Sequence, residues 1–153
     1  MRRRSRLVTS LLAAAGMVLT VSAGTCNATT GPAPGHTAAR ARWTRVAPAA
    51  YTITIHRSCE CLPEMSGPVV VAVRDGTVES RRYVRSGEAV TAEYAALFPS
   101  VEGLFALVDR AVRDSVTPLE VRYDRALGFP TYIALGDPAT DAPVYTVSEF
   151  SAR

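Results

Sequence analysis

Cys59-Glu60-Cys61 is the motif that concentrates the most chemistry in this 153-residue chain. Two thiols one residue apart are a metal-binding or reactive pair in a reducing compartment and a disulfide in an oxidising one. In an extended stretch residues i and i+2 lie about 6.6 Å apart, near the upper limit for a disulfide, so the bond closes under strain. Strained disulfides are the more reducible ones. The pair therefore reads either as a staple of the loop 58–67 or as a thiol-disulfide site, although the two-residue spacing and βαβ setting of thioredoxin-like sites are absent. His56 extends the motif to His56-x-x-Cys59-x-Cys61, a soft or borderline ligand set for Cu(I) or Zn(II). Three ligands at that spacing fall short of a closed zinc site, and the second histidine, His36, falls in a region of flexible composition.

Tyr123, Asp124, Gly128, Phe129 and Pro130 flank a loop and form a candidate binding surface. In a purely structural role Asp124 accepts N–H bonds inside the loop, Gly128 supplies positive φ and Pro130 fixes the approach to the next strand. An acid-base role for Asp124 needs a second titratable group beside it, and the sequence shows no such pairing. Arg81, Arg82 and Arg85 read as a solvated strand face, partly neutralised by Glu79 and Glu88. The sequence contains no nucleophile elbow, phosphate loop, zinc helix or paired-carboxylate motif, so no catalytic residue and no cofactor is nominated.

The compartment follows from the N-terminus. Met1-Arg2-Arg3-Arg4-Ser5-Arg6 is a basic n-region, and the uncharged apolar stretch 7–21 is an h-region. It is shorter than the roughly 20 apolar residues of a membrane span. Val21-Ser22-Ala23 places cleavage after Ala23, which makes residues 1–23 a signal peptide and the protein an exported one, extracellular or in the cell envelope. Cys26 is a competing start as a lipidated N-terminus. Thr25 departs from the Gly or Ala expected before such a cysteine, whereas cysteine parity favours lipidation because it leaves Cys59 and Cys61 as an even pair. A lipid on Cys26 is the one membrane attachment expected.

Loss of the leader also changes the charge. It leaves 13 Arg against 14 Asp and Glu, a net charge of −1 in place of +3, and nucleic acid drops out as a partner. An unidentified protein or small molecule is the expected partner, met by a monomer. All 17 basic residues are arginine, a bias that GC-rich coding explains.

The elements that position these residues fit one domain, 36–153, after a Pro/Gly-broken linker at 24–35. A mature chain of about 130 residues buries roughly two-thirds of its unfolded surface. The Ala and Arg content of 36–46 predicts a short helix docked by Trp43 and ended at Pro48. Tyr51, Ile53 and Ile55 alternate with polar residues as a strand, and Val69, Val71 and Val73 form a second. Arg74-Asp75-Gly76-Thr77 predicts a type I′ hairpin, with Val73 opposing Val78 and Val71 opposing Ser80 on the third strand. Ser100 predicts a helix N-cap with Glu102 in the first turn. Val101, Leu104, Phe105, Val108, Ala111 and Val112 make its apolar stripe, while Asp109 and Arg113 are spaced to pair on the other side. After Pro118, residues 119–124 alternate as a fourth strand; 131–135 and 144–150 supply two more around a Gly136-Asp137-Pro138 turn. The order β-β-β-α-β-β-β after a short N-terminal helix predicts an α+β fold, an antiparallel sheet of about six strands with one main helix on one face.

Tyr51 before its strand, Cys59-x-Cys61, Gly67-Pro68-Val69, Asp75-Gly76, Leu104-Phe105, Tyr123-Asp124 with Gly128-Phe129-Pro130, and the final Tyr145-x-Val147 keep a definite order and spacing. Together they resemble a family of exported bacterial proteins known as domain of unknown function 6174, over about residues 43–150. The resemblance implies the exported setting and the paired cysteines, and it implies no reaction. A non-enzymatic extracytoplasmic binding or accessory protein is the function expected; a thiol-disulfide redox protein and a Cu(I)- or Zn(II)-binding protein are the alternatives.

Overall fold

Each stretch with a period of two has one apolar face to bury, and it becomes a strand for that reason. Residues 35–153 are described by a computed structural model; the predicted signal peptide, most of the linker and Cys26 lie outside the described residues. Helix α1 (His36–Val46) leads into β1 (Ala50–Ser58), a single helical turn α2 (Pro63–Ser66), β2 (Val69–Arg74) and β3 (Thr77–Tyr83). A 3-10 turn at Ala95–Leu97 then precedes α3 (Val101–Arg113), β4 (Leu119–Tyr123), β5 (Pro130–Leu135) and β6 (Val144–Ala152). Neither α2 nor the 3-10 turn is announced by the sequence periodicity.

The six strands form one antiparallel sheet in the order β3-β2-β1-β6-β5-β4, so the fold class is the expected α+β. Each half of the chain is a three-stranded meander, and the halves join through β1 and β6. The link between them leaves one edge at β3 and returns at the other at β4, five strand spacings or about 24 Å away. A helix of 13 residues spans about 20 Å of that crossing. That path lays the apolar stripe of α3 across the inner face, where Leu104, Phe105 and Val108 are buried with Ile53, Ile55, Val71 and Val73. Val121 and Tyr123 pack against the same cluster, half-buried.

The caps behave as their residues predict. Ser100 Oγ accepts the Gly103 N–H at 3.3 Å, and the Tyr51 hydroxyl accepts the Val101 N–H at 3.1 Å. Two of the four orphan donors at the start of α3 are thereby satisfied. In the hairpin, Asp75 and Gly76 carry φ of 48° and 74° between the paired Arg74 and Thr77, as a type I′ turn requires.

One register differs from expectation. Val73 faces Val78, but Val71 faces Arg81 and not Ser80, because a bulge between Ala72 and Val73 leaves Glu79 as an extra residue on β3. The slip turns Arg81 to the inner side, where its Nε donates to the Phe98 carbonyl at 2.6 Å. Burial lowers the basicity of that guanidinium. Arg82 and Arg85 stay exposed, and Glu79 pairs with Arg74 at 2.7 Å instead of screening the three arginines.

Candidate functional site

Beyond Ser58 the sheet runs out and the chain bends through residues 59–61. The bend draws the Cα atoms of Cys59 and Cys61 to 5.3 Å, within the usual disulfide range and not at its limit as extended backbone would demand, and the two residues are disulfide-bonded. The Glu60 N–H donates to Asp141 Oδ1 at 2.6 Å, tying this loop to the β5–β6 connection. Tyr83 donates its hydroxyl proton to the Glu64 carbonyl at 2.8 Å, tying α2 to the end of β3. Two clefts open at this end, one reaching Cys61 and the other Cys59. One, of about 480 Å³, is lined by Cys61, Pro63, Glu64, Tyr83, Arg85 and Glu88. The other, of about 440 Å³, is lined by Cys59, Glu60, Thr140 and Asp141. Leu62 and Val84, exposed by 58% and 53%, adjoin lining residues of the first cleft in the chain.

Arg57 lies beneath this loop. Its Nη1 is 2.8 Å from Cys59 Sγ and 3.5 Å from Cys61 Sγ, its Cζ lies 5.9 Å from the centre of the Tyr145 ring, and its Nε is buried with no hydrogen-bond partner among the described residues. His56 precedes it on β1, is exposed, and points to the opposite side of the strand. The candidate metal set His56, Cys59 and Cys61 is not brought together: both thiols are spent on the disulfide. No group of three or more His, Cys, Asp or Glu able to hold an ion occurs among the described residues.

The opposite end of the sheet holds the ionisable residues that most resemble a reaction centre. His36, expected in a flexible region, is buried at the first turn of α1. Its Nδ1 lies 2.7 Å from the Tyr123 hydroxyl and its Nε2 2.8 Å from Asp109 Oδ1, while Arg40 Nη2 donates to Asp109 Oδ2 at 2.7 Å. Burial pushes the Tyr123 hydroxyl up to about 12, so it keeps its proton. The imidazole of His36 thus bridges Tyr123 and Asp109, one ring nitrogen to each. Burial also pushes the Asp109 carboxyl up, but the hydrogen bonds from His36 and Arg40 and the charge of Arg40 outweigh it and hold the group below its ordinary value. The predicted Asp109–Arg113 pair is therefore replaced by a bridge from α3 to α1.

Glu102 makes a second bridge. It accepts from Trp43 Nε1 and from the Tyr51 hydroxyl, both at 2.9 Å. Burial raises its carboxyl, and the hydrogen bonds from Trp43, its own backbone, Tyr51 and Ser100 more than compensate, leaving it below its ordinary value. The ring of Trp43 stands edge-on to Tyr51, Phe129 and Phe150, which makes it the docking residue of α1.

The loop from Tyr123 to Pro130 closes this end from below. Asp124 Oδ1 accepts the N–H groups of Ala126 and Leu127 at 2.9 and 2.6 Å, and Phe129 and Pro130 are buried. Gly128 has φ of 88°, and a Cβ there would collide with the Ala39 carbonyl of α1. These five residues are brought together: Tyr123, Gly128 and Phe129 meet α1 at His36, Ala39 and Trp43, while Asp124 ties its own loop and Pro130 is buried at the start of β5.

A family model matches residues 36–152, from the first residue of α1 to the end of β6. The chain belongs to the family of unknown function DUF6174. No curated protein and no solved structure matches it. The DUF6174 domain thus begins at His36, whose ring is already part of the core, and includes all of α1. Sequence reasoning missed the roles of His36, Arg40 and Arg57, yet His36 and Arg57 each left a signal. His36, Ala39 and Trp43 repeat at helical spacing, and Arg57, Cys59 and Cys61 alternate along one side of an extended chain. No helix among the described residues of the DUF6174 chain is long and apolar enough to cross a membrane.

Proposed function

We propose that this protein is a non-enzymatic binding or accessory module that works outside the cytoplasm and meets a protein or small-molecule partner with the disulfide end of its sheet. The observation that carries this is the Cys59–Cys61 disulfide in a half-exposed loop between two clefts, with Leu62 and Val84 exposed beside it. A disulfide persists where the medium is oxidising, which accords with the leader at 1–23 and with a mature start at Gly24 or at a lipidated Cys26. Exposed apolar groups next to a concave, mixed-polarity surface are what a recognition site presents. The His36 and Glu102 clusters, by contrast, spend their hydrogen bonds inside the molecule. The mature domain acts as a monomer and meets a membrane only through Cys26. A second function, thiol-disulfide exchange, is favoured by one separate observation, the guanidinium of Arg57 against both sulfurs.

A photo-crosslinking residue placed at Glu60 in the native host should capture a partner, while the same residue at Thr77, in the hairpin at the other end, should not. Equal capture from both positions, or capture from Thr77 alone, rejects the disulfide end as the contact surface. Intact-mass measurement on the native product checks the compartment, because retention of residues 1–23 in the mature protein rejects export.

A further inference from the structure

The geometry points to Cys59–Cys61 as a directional thiol-disulfide exchange site, in which an incoming thiolate attacks Cys61 from the cleft beside it and Cys59 leaves as a thiolate held by Arg57. This deepens the second function named above and rests on the disulfide being open to thiols; it does not depend on partner recognition.

Exchange needs the attacking sulfur, the attacked sulfur and the leaving sulfur roughly in line. Each cleft here serves one direction. The larger is lined by Cys61 and not Cys59, so a thiol seated in it attacks Cys61 with Cys59 behind; the smaller is lined by Cys59 and not Cys61 and serves the reverse. Two features choose between them. Arg57 Nη1 is 2.8 Å from Cys59 Sγ but 3.5 Å from Cys61 Sγ. A guanidinium beside a sulfur stabilises its thiolate, and the better-stabilised thiolate leaves faster. The smaller cleft also has the carboxylates of Glu60 and Asp141 and no cation among its lining residues, whereas the larger sets Arg85 among Glu64 and Glu88.

The step balances as follows. A thiol of the substrate loses its proton to solvent and its sulfur bonds to Cys61 Sγ while the Cys61–Cys59 bond breaks, its electron pair remaining on Cys59. A second substrate thiol then attacks the sulfur joined to Cys61, releasing Cys61 as a thiolate. The protein disulfide is reduced by two electrons and the substrate dithiol becomes a disulfide, with two protons ending on Cys59 and Cys61. The co-reactant is a thiol or dithiol, small or carried by a protein.

The test uses the full chain in its oxidised form, with any open thiol, Cys26 included, alkylated beforehand. Reaction with glutathione, a rapid quench with a second alkylating label and peptide mass spectrometry should find glutathione on Cys61 and the label on Cys59. Glutathione mainly on Cys59 would overturn the direction while leaving an exchange site; no adduct and no reduction would overturn the exchange function with it. Arg57→Ala should slow reduction about three- to tenfold, as expected for losing a cation beside a leaving thiolate, and Arg57→Lys should recover most of that loss. An unchanged rate in Arg57→Ala would remove the role of Arg57, and the labelling pattern of the unaltered chain decides the direction even if that variant fails to fold.

Discussion

The two ends of the sheet carry opposite kinds of chemistry in opposite settings. At the end where β4 finishes, His36, Asp109, Arg40 and Tyr123 meet within hydrogen-bond distance, a set of residue types that would suggest catalysis if it lay in a cleft. Helix α1 supplies His36 and Arg40 to it, and every one of those bonds joins one element of the fold to another. At the end where β1 finishes, the disulfide of Cys59 and Cys61 lines the two clefts, and both residues are half-exposed. Hydrogen bonding, more than residue type or burial, separates the group that holds the fold from the group that can meet another molecule: Asp109, Arg40 and Tyr123 are half-exposed like the two cysteines, but their polar groups are spent on one another and on the buried His36.

The sharpest way to break this contrast is Phe105→Ala. Phe105 is buried, stacks on Tyr123 at 6.2 Å, meets the His36 ring edge-on and lies under Arg40 at 5.0 Å. Removing it leaves a cavity and should lower stability by about 3 to 5 kcal/mol, from a total on the order of 5 to 15. A urea midpoint within error of the parent would mean that α3 does not face the sheet this way.

Asp109→Asn probes the polar layer over the same ring. Asp109 and Glu102 both sit below their ordinary values when folded, so the unfolded chain takes up their protons first as pH falls. Their stabilisation is complete above the ordinary carboxylate range and is lost as pH drops through it towards the folded values. Asp109→Asn should cost about 2 kcal/mol at neutral pH by weakening charged hydrogen bonds, and should flatten the acid limb of stability against pH. An acid limb as steep as the parent's would show that Asp109 is ionised no more readily folded than unfolded.

The disulfide end should respond far less. Replacing Cys59 and Cys61 together by Ser opens a loop closed over a sequence separation of only 2, and the chain-entropy effect should be about 1 kcal/mol. Amide hydrogen exchange should rise in residues 58–67 and stay unchanged in α1 and α3. Faster exchange at His36 or Trp43 would show that the two ends are coupled.

How much of this was legible follows the range of the interactions. The strands, the Asp75-Gly76 turn, the Ser100 cap and the stripe of α3 depend on neighbours within a few residues, and the sequence carries them openly. The bulge at Glu79 was hidden because alternation on β3 alone does not count the residues opposite it. The His36–Asp109 bond joins residues 73 apart and Tyr123 meets His36 across 87, so local spacing offered Arg113 as the partner of Asp109. For the candidate site, the cysteine pair was visible as a motif, but the bend that shortens its span and the guanidinium beneath it depend on how β1 ends against β6.

The smallest expected effect concerns that misassigned pair. Arg113 is exposed, lies in the last turn of α3 and forms no ion pair among the described residues, so it can contribute only through the helix dipole. Arg113→Ala should cost a few tenths of a kcal/mol, about the value of an exposed charge at a helix end. The sharper measurement is the double-mutant cycle. Asp109→Asn and Arg113→Ala should be additive within about 0.3 kcal/mol, whereas Asp109→Asn and Arg40→Ala should couple by about 0.5 kcal/mol or more. Coupling to Arg113 with none to Arg40 would return Asp109 to the solvent side of α3. His36 would then lose its carboxylate, and α1 would no longer be tied to α3 through Asp109.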